Sequence, residues 1–90
     1  MPQYVIERTL PGAGDLSDAE VQQIAAKSNE VLDGMPGVQW QESYVTQDKL
    51  YCVYVAPDAD AVREHASRGG FPADSVEQVR RRIDPTTGGR

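Results

Sequence analysis

The chain has few of the side chains that build catalytic and metal sites, since its 90 residues include one cysteine, Cys52, and one histidine, His65. A lone cysteine excludes an internal disulfide, and no Cys-x-x-Cys, zinc-knuckle or Walker pattern is present. No apolar run approaches the ~20 residues of a membrane helix, and the Met-Pro-Gln-Tyr start lacks the features of a signal peptide. We therefore expect a cytoplasmic protein without a membrane partner, and a binding protein rather than an enzyme.

Basic side chains are also scarce, with 9 lysines and arginines against 14 acidic residues and a formal net charge of −5. Such a chain repels phosphate backbones, so nucleic acid is not an expected partner. Ninety residues predict a single domain, residues 1–90, and we expect residues 84–90 to form a flexible tail. Short chains often gain burial by pairing, which favours a homodimer.

The first half of the chain predicts a strand followed by a helix. Tyr4–Arg8 is β-branched and aromatic, and the glycines of Pro11–Gly14 end it. Ser17 and Glu20 then have the spacing of a capping box. A helix is predicted from Ser17 to Asp33, and its apolar stripe comprises Val21, Ile24, Ala25, Ser28, Val31, Leu32 and Met35.

A β-hairpin is predicted between Val38 and Ala56, with Gln47-Asp48 as its two-residue loop. In that register Tyr44 pairs with Tyr51, and the residues facing the same side include Trp40, Glu42, Val53 and Val55. Bulky side chains occur on both faces of this hairpin. We therefore expect helices to cover one face and a partner subunit to cover the other.

The last third of the chain predicts a second helix and a fourth strand. Asp58 or Asp60 caps the helix, which ends at Gly69-Gly70. The segment Ser75–Asp84 fits helical spacing and strand alternation equally well, and we choose a strand because it completes a split β-α-β fold. The predicted fold is thus α+β and ferredoxin-like, β-α-β-β-α-β, an antiparallel four-stranded sheet with two helices on one face.

Several strings of residues resemble one known family over nearly the whole chain, from Tyr4 to Thr87. They are Tyr-Val-Ile-Glu-Arg, Pro-Gly-Ala-Gly, Ser-Tyr-Val-Thr-x-Asp-Lys-x-Tyr-Cys-Val-Tyr-x-Ala-Pro, Arg-Glu-His-Ala, Gly-Gly-Phe-Pro-Ala and Ile-Asp-Pro-Thr-Thr. The chain resembles the small nickel-binding, nickel-responsive proteins of actinobacteria, long known only as a domain of unknown function. The resemblance implies a ferredoxin-like protomer that forms a homodimer and binds nickel ions with octahedral coordination.

The chemistry of the residues then suggests candidate nickel ligands. His65 carries the best Ni(II) donor in the chain, because borderline cations favour imidazole nitrogen. It lies at the edge of the second helix's buried stripe, where it either donates to a metal or is a buried side chain satisfied by a hydrogen bond. Glu7 and Glu42 are candidate oxygen donors among bulky residues, where each carboxylate needs a cation or an arginine partner.

An aromatic group suggests a second kind of function. Trp40, Tyr44 and Tyr51 share a face in the predicted register and are candidates to line a cavity at a dimer interface. The alternative to nickel sequestration, buffering or response is therefore a small-molecule-binding protein or a dimeric α/β-barrel enzyme, with His65 as general base.

Overall fold

We describe the fold from a computed structural model that covers all 90 residues, Met1–Arg90. Its main elements run in the order β1 (Gln3–Thr9), α1 (Asp18–Asp33), β2 (Gln39–Val45), β3 (Lys49–Val55), α2 (Ala59–Gly69) and β4 (Ser75–Gln78). Short 3-10 helices lie at Ala13–Asp15 and Pro85–Gly88. None of the helices is long and apolar enough to cross a membrane.

The helices begin and end where their capping residues predict. Ser17 caps α1, and its hydroxyl accepts from the Glu20 backbone N–H while the Glu20 carboxylate accepts from the Ser17 N–H. This capping box satisfies two of the unpaired donors at the start of the helix. Asp58 caps α2 through the Ala61 N–H, and Gly70 ends it in the left-handed conformation.

The four strands form one antiparallel sheet in the order β2-β3-β1-β4. With two helices, this order confirms the predicted ferredoxin-like α+β fold. The hairpin register is confirmed from Val45↔Leu50 to Glu42↔Val53. Beyond Glu42 the prediction is wrong, because a β-bulge at Gln41 shifts the register so that Trp40 pairs with Tyr54. The extra residue turns the side chains on the far side of the bulge from the hairpin loop, including that of Trp40, to the opposite face from the one predicted.

The fourth strand is shorter than the predicted Ser75–Asp84. Ser75–Gln78 pairs with β1, and the backbone hydrogen bond nearest the C-terminal end of this pairing runs from the Val79 N–H to the Gln3 carbonyl. Gln3 is the first residue of β1, so the strand ends where its partner ends. The residues that follow lie outside the sheet, and Ile83 is exposed. At the chain end, Asp84 caps the 3-10 helix Pro85–Gly88.

Both helices lie on the same face of the sheet, which we call the covered face. Alternate residues of β1 and β3 point towards them and form the core with Val62 of α2; the core residues are Tyr4, Ile6, Val38, Cys52, Tyr54, Ala56 and Val62. Helix α2 buries Val62, His65 and Ala66. Helix α1 buries only Ser28, so most of its predicted apolar stripe is incompletely covered.

The other face of the sheet, which we call the uncovered face, carries apolar and acidic side chains together. The paired residues form one row across the four strands of Glu77, Val5, Val53 and Glu42, and another of Ser75, Glu7, Tyr51 and Tyr44. No helix packs on these rows, and most of their members are half-buried or exposed.

The close contact between Gly69 and Phe71 generates a prediction about stability. A Cβ atom at Gly69 would overlap the Phe71 ring, which also lies against His65 and Arg8. We expect Gly69→Ala to destabilise the fold by about 1–3 kcal/mol through overpacking, although alanine favours helices by about 1 kcal/mol. Urea unfolding measures this difference.

Gly34 provides the matched control for that substitution. It ends α1 at an ordinary negative φ of −92°, and its nearest neighbour would be the Val31 carbonyl oxygen at 3.6 Å. Gly34→Ala should leave stability unchanged or raise it by up to about 1 kcal/mol. Equal effects at the two glycines would contradict the packing described for Phe71.

Candidate functional site

Glu7 and Glu42, two of the predicted metal ligands, lie on the uncovered face. They occupy neighbouring rows on β1 and β2, with β3 between them. Strands are about 4.8 Å apart, so the two Cα atoms are separated by roughly 10 Å or more. Both side chains reach solvent, and both can be approached by an ion from the same side of the sheet.

Each of these carboxylates has a partner from its own chain. Glu7 pairs with Lys49, whose Nζ lies 3.2 Å from Oε1, and this pairing raises the pKa of Lys49. The Tyr44 hydroxyl donates to Glu42, and this hydrogen bond raises the pKa of Tyr44. Exposed pairs of this kind contribute little to stability. The lysine and the tyrosine orient the two carboxylates but leave them accessible to a competing cation.

His65 lies on the opposite side of the sheet and is fully buried. Its ring packs between Tyr54, at a centroid distance of 5.1 Å, and Phe71, at 5.9 Å. Nε2 lies 3.3 Å from the Ser28 hydroxyl oxygen on α1, and Nδ1 has no hydrogen-bond partner. Of the two predicted roles, this conformation matches the buried side chain with one hydrogen bond, because the core encloses both nitrogens and neither is open to a cation.

The surroundings of His65 keep its ring neutral. Loss of hydration lowers the pKa of His65, the nearby Arg8 guanidinium lowers it further, and the contact with Ser28 acts in the opposite direction. We assign the proton of the neutral ring to Nε2, which then donates to Ser28, because a buried acceptor without a partner costs less than a buried N–H without one. Protonation would place a second N–H at Nδ1, where no acceptor exists.

The three predicted ligands consequently do not form one site within a single chain. The sheet lies between His65 and the two glutamates, and no group of three or more His, Cys, Asp or Glu side chains is positioned to hold a metal ion. Of the three predicted ligands, Glu7 and Glu42 are the ones that an ion can reach from solvent. An octahedral ion held there needs further ligands from water or from a second chain.

A cavity of about 160 Å³ is present, but on the covered face, between α1 and the sheet. Trp40 lines it, whereas Tyr44 and Tyr51 lie on the uncovered face. The prediction that these three aromatics share a face is wrong because the bulge at Gln41 turns Trp40 towards the helices. His65 does not line the cavity either, so it is not placed as a general base for a ligand bound there.

Arg8 is the residue of this region that the sequence analysis missed. It is 3% exposed and lines the cavity, with its guanidinium bonded to the Pro72 carbonyl oxygen and 3.5 Å from the Tyr54 hydroxyl. Its Cζ lies 5.6 Å from the centre of the Phe71 ring. The alternation of Tyr4, Ile6 and Arg8 along β1 was the available signal, since it places all three on one face.

The neutral state of His65 predicts a specific loss of stability in weak acid. The unfolded ring takes up a proton near its ordinary pKa of about 6.5, whereas the folded ring resists it, so stability falls as the pH decreases through that value. Between about pH 7.5 and about pH 5.5 we expect a loss of up to about 1.4 kcal/mol in urea unfolding. His65→Gln should remove this loss, and an identical pH profile in that variant would contradict the assignment.

Comparison with known proteins identifies a matching family and a similar solved structure. The family model described as "Nickel responsive protein SCO4226-like" matches residues 4–79. The crystal structure of SCO4226 from Streptomyces coelicolor A3(2) superposes with a TM-score of 0.76 at 18% identity, covering 90% of this chain and 99% of that one. This likeness supports the shared fold, and no curated protein matches the chain. The family match spans most of the sequence, and the protein is therefore a member of the nickel-responsive SCO4226-like family.

Proposed function

We propose that this protein binds Ni(II) without catalysing a reaction, and holds the ion in the cytoplasm in order to sequester it, buffer it or respond to its level. The family match over residues 4–79 carries this proposal, because the family is described by its response to nickel. The acidic balance of the chain supports it, since a net charge of −5 attracts cations.

We further propose that Glu7 and Glu42 supply oxygen donors from the uncovered face. Their present partners are an exposed lysine and a tyrosine hydroxyl, and a divalent cation offers each carboxylate a stronger interaction. Two carboxylates leave several of the six positions around Ni(II) for water or for a second protomer. Such a site exchanges its ion readily, as buffering or sensing requires.

This proposal does not use His65 as a metal ligand, although the chemistry of its side chain alone predicts that role. Imidazole is the strongest Ni(II) donor in the chain, but it reaches an ion only if α2 separates from Ser28 and the sheet. We therefore assign binding to the carboxylates and treat His65 as a core residue whose substitution tests that assignment.

Calorimetric titration of tag-free apoprotein with NiCl₂ tests this function. Saturable binding is expected, with Co(II) weaker than Ni(II) according to the Irving–Williams order. Glu42→Gln and Glu7→Gln should each lower the affinity by about tenfold or more, because each removes a charged donor. Thermal unfolding of the same samples shows whether the variants remain folded.

Two further variants complete the titration. Glu30→Gln removes one exposed negative charge from α1, away from the uncovered face, and should change the affinity by less than about twofold. His65→Gln should also bind nickel like the original protein. No saturable binding by the original protein would refute the nickel proposal, and a loss confined to His65→Gln would move the site to the imidazole.

We also propose that the protein forms a homodimer through the uncovered face. The apolar residues of β1, β2 and β3 on this face form a central stripe that is partly exposed to water: Val5, Tyr44, Tyr51, Val53 and Val55. The same surface on a second copy is self-complementary in a two-fold arrangement. Burial there would bring the glutamates of two chains close together and complete the ligand set.

Val53→Lys tests the dimer because it adds a charge at the centre of this stripe. We expect the original protein to sediment as a dimer and Val53→Lys to weaken association by at least about tenfold, since an unpaired lysine is costly to bury. Gln22→Lys adds the same charge on the exposed side of α1 and should remain dimeric. A monomeric original protein at micromolar concentration would contradict the proposal.

A further inference from the structure

The space between α1 and the covered face is largely apolar. Its walls include Ile24 of α1 together with Trp40, Leu50 and Phe71. Ser28 is the only fully buried residue of α1, so the side chains of this helix do not fill the space. Its volume of about 160 Å³ is close to that of the engineered cavity of about 150 Å³ that takes up a benzene ring. The cavity therefore has room for one ring or a short branched chain.

One wall of this cavity carries a buried positive charge without a counter-charge. Arg8 is 3% exposed, and none of the four ion pairs in the structure includes it. Its two hydrogen-bond partners, the Pro72 carbonyl and the Tyr54 hydroxyl, are neutral. A buried arginine is usually accompanied by an acidic group, because hydrogen bonds to neutral atoms compensate only part of its lost hydration.

We propose that this cavity binds a small monocarboxylate, whose carboxylate pairs with Arg8 and whose apolar body lies between Ile24, Trp40 and Leu50. A guanidinium matches a carboxylate with two parallel N–H···O bonds, and one such group neutralises a single negative charge. A dianion such as phosphate would keep one uncompensated charge against apolar walls. The volume of the cavity limits the apolar body of the ligand to about one six-membered ring.

The ligand can enter without unfolding of the protein. Val21 on α1 and Val45 on β2 both line the cavity and remain 40% and 44% exposed, so they form its rim. An apolar rim also favours a ligand with an apolar body over a hydrophilic anion. This site lies across the sheet from Glu7 and Glu42, and it does not depend on the proposed binding of nickel.

Trp40 is the single tryptophan of the chain and lines the cavity, so its fluorescence reports on the site directly. We would titrate the full-length protein with cyclohexanecarboxylate and, separately, with cyclohexanecarboxamide, which has the same shape without the charge. The carboxylate should give a saturable change and bind about tenfold to a hundredfold more tightly than the amide, as charge-assisted hydrogen bonds are the stronger kind.

Arg8→Met and Arg81→Met provide the matched pair of variants. Both remove one positive charge, but Arg81 is exposed and lies outside the cavity. Arg8→Met should fold, because an apolar side chain of similar length is often tolerated in place of a buried charge, and it should bind acid and amide equally weakly. Arg81→Met should keep the preference for the acid.

Three results would overturn this proposal. They are equal binding of acid and amide by the original protein, an unchanged preference in Arg8→Met, and no saturable fluorescence change from either compound at millimolar concentration. The acid–amide comparison uses the original protein alone, so it decides the matter even where Arg8→Met does not fold.

Discussion

The structure depends on a sheet that helices cover on one face only. Consecutive side chains of a strand point to opposite faces, so β1 sends Tyr4, Ile6 and Arg8 into the core and leaves Val5 and Glu7 on the other side. Neighbouring residues in the sequence thus enter different environments. The positive charge of Arg8 is buried, whereas the negative charge of Glu7 remains accessible to ions.

This separation gives the two faces opposite chemical preferences. On the covered face, burial and Arg8 lower the pKa of His65, and burial raises the pKa of Tyr54 while Arg8 opposes that rise. Burial keeps both groups uncharged, and the positive charge of Arg8 makes this side of the sheet unfavourable for a divalent metal. The uncovered face has exposed carboxylates next to a lysine and a tyrosine, which is an environment that a hydrated cation can enter.

Local signals in the sequence predicted the elements with specific end residues. The capping box of Ser17 and Glu20, the hairpin loop before Lys49 and the ferredoxin-like order are all present in the structure. Each depends on interactions between residues close in sequence, or on the small number of ways in which such elements pack.

The parts of the site that the sequence did not reveal depend on tertiary geometry. No residue type marks Gln41 as a bulge, yet this one insertion places Trp40 in the cavity and separates it from Tyr44. Whether His65 faced the rim or the core depended on Ser28, which lies 37 positions away on another helix. The partner of Glu7 is Lys49 of β3 and not an arginine.

The most direct test of metal binding on the uncovered face is the order in which Ni(II) affects the NMR resonances of the protein. Paramagnetic nickel broadens nearby nuclei, so substoichiometric Ni(II) should first weaken signals of Glu7, Glu42 and Tyr44 on the uncovered face and spare the ring of His65. Early loss of the His65 ring signals, with those of the glutamates intact, would place the metal on the covered side and contradict the account.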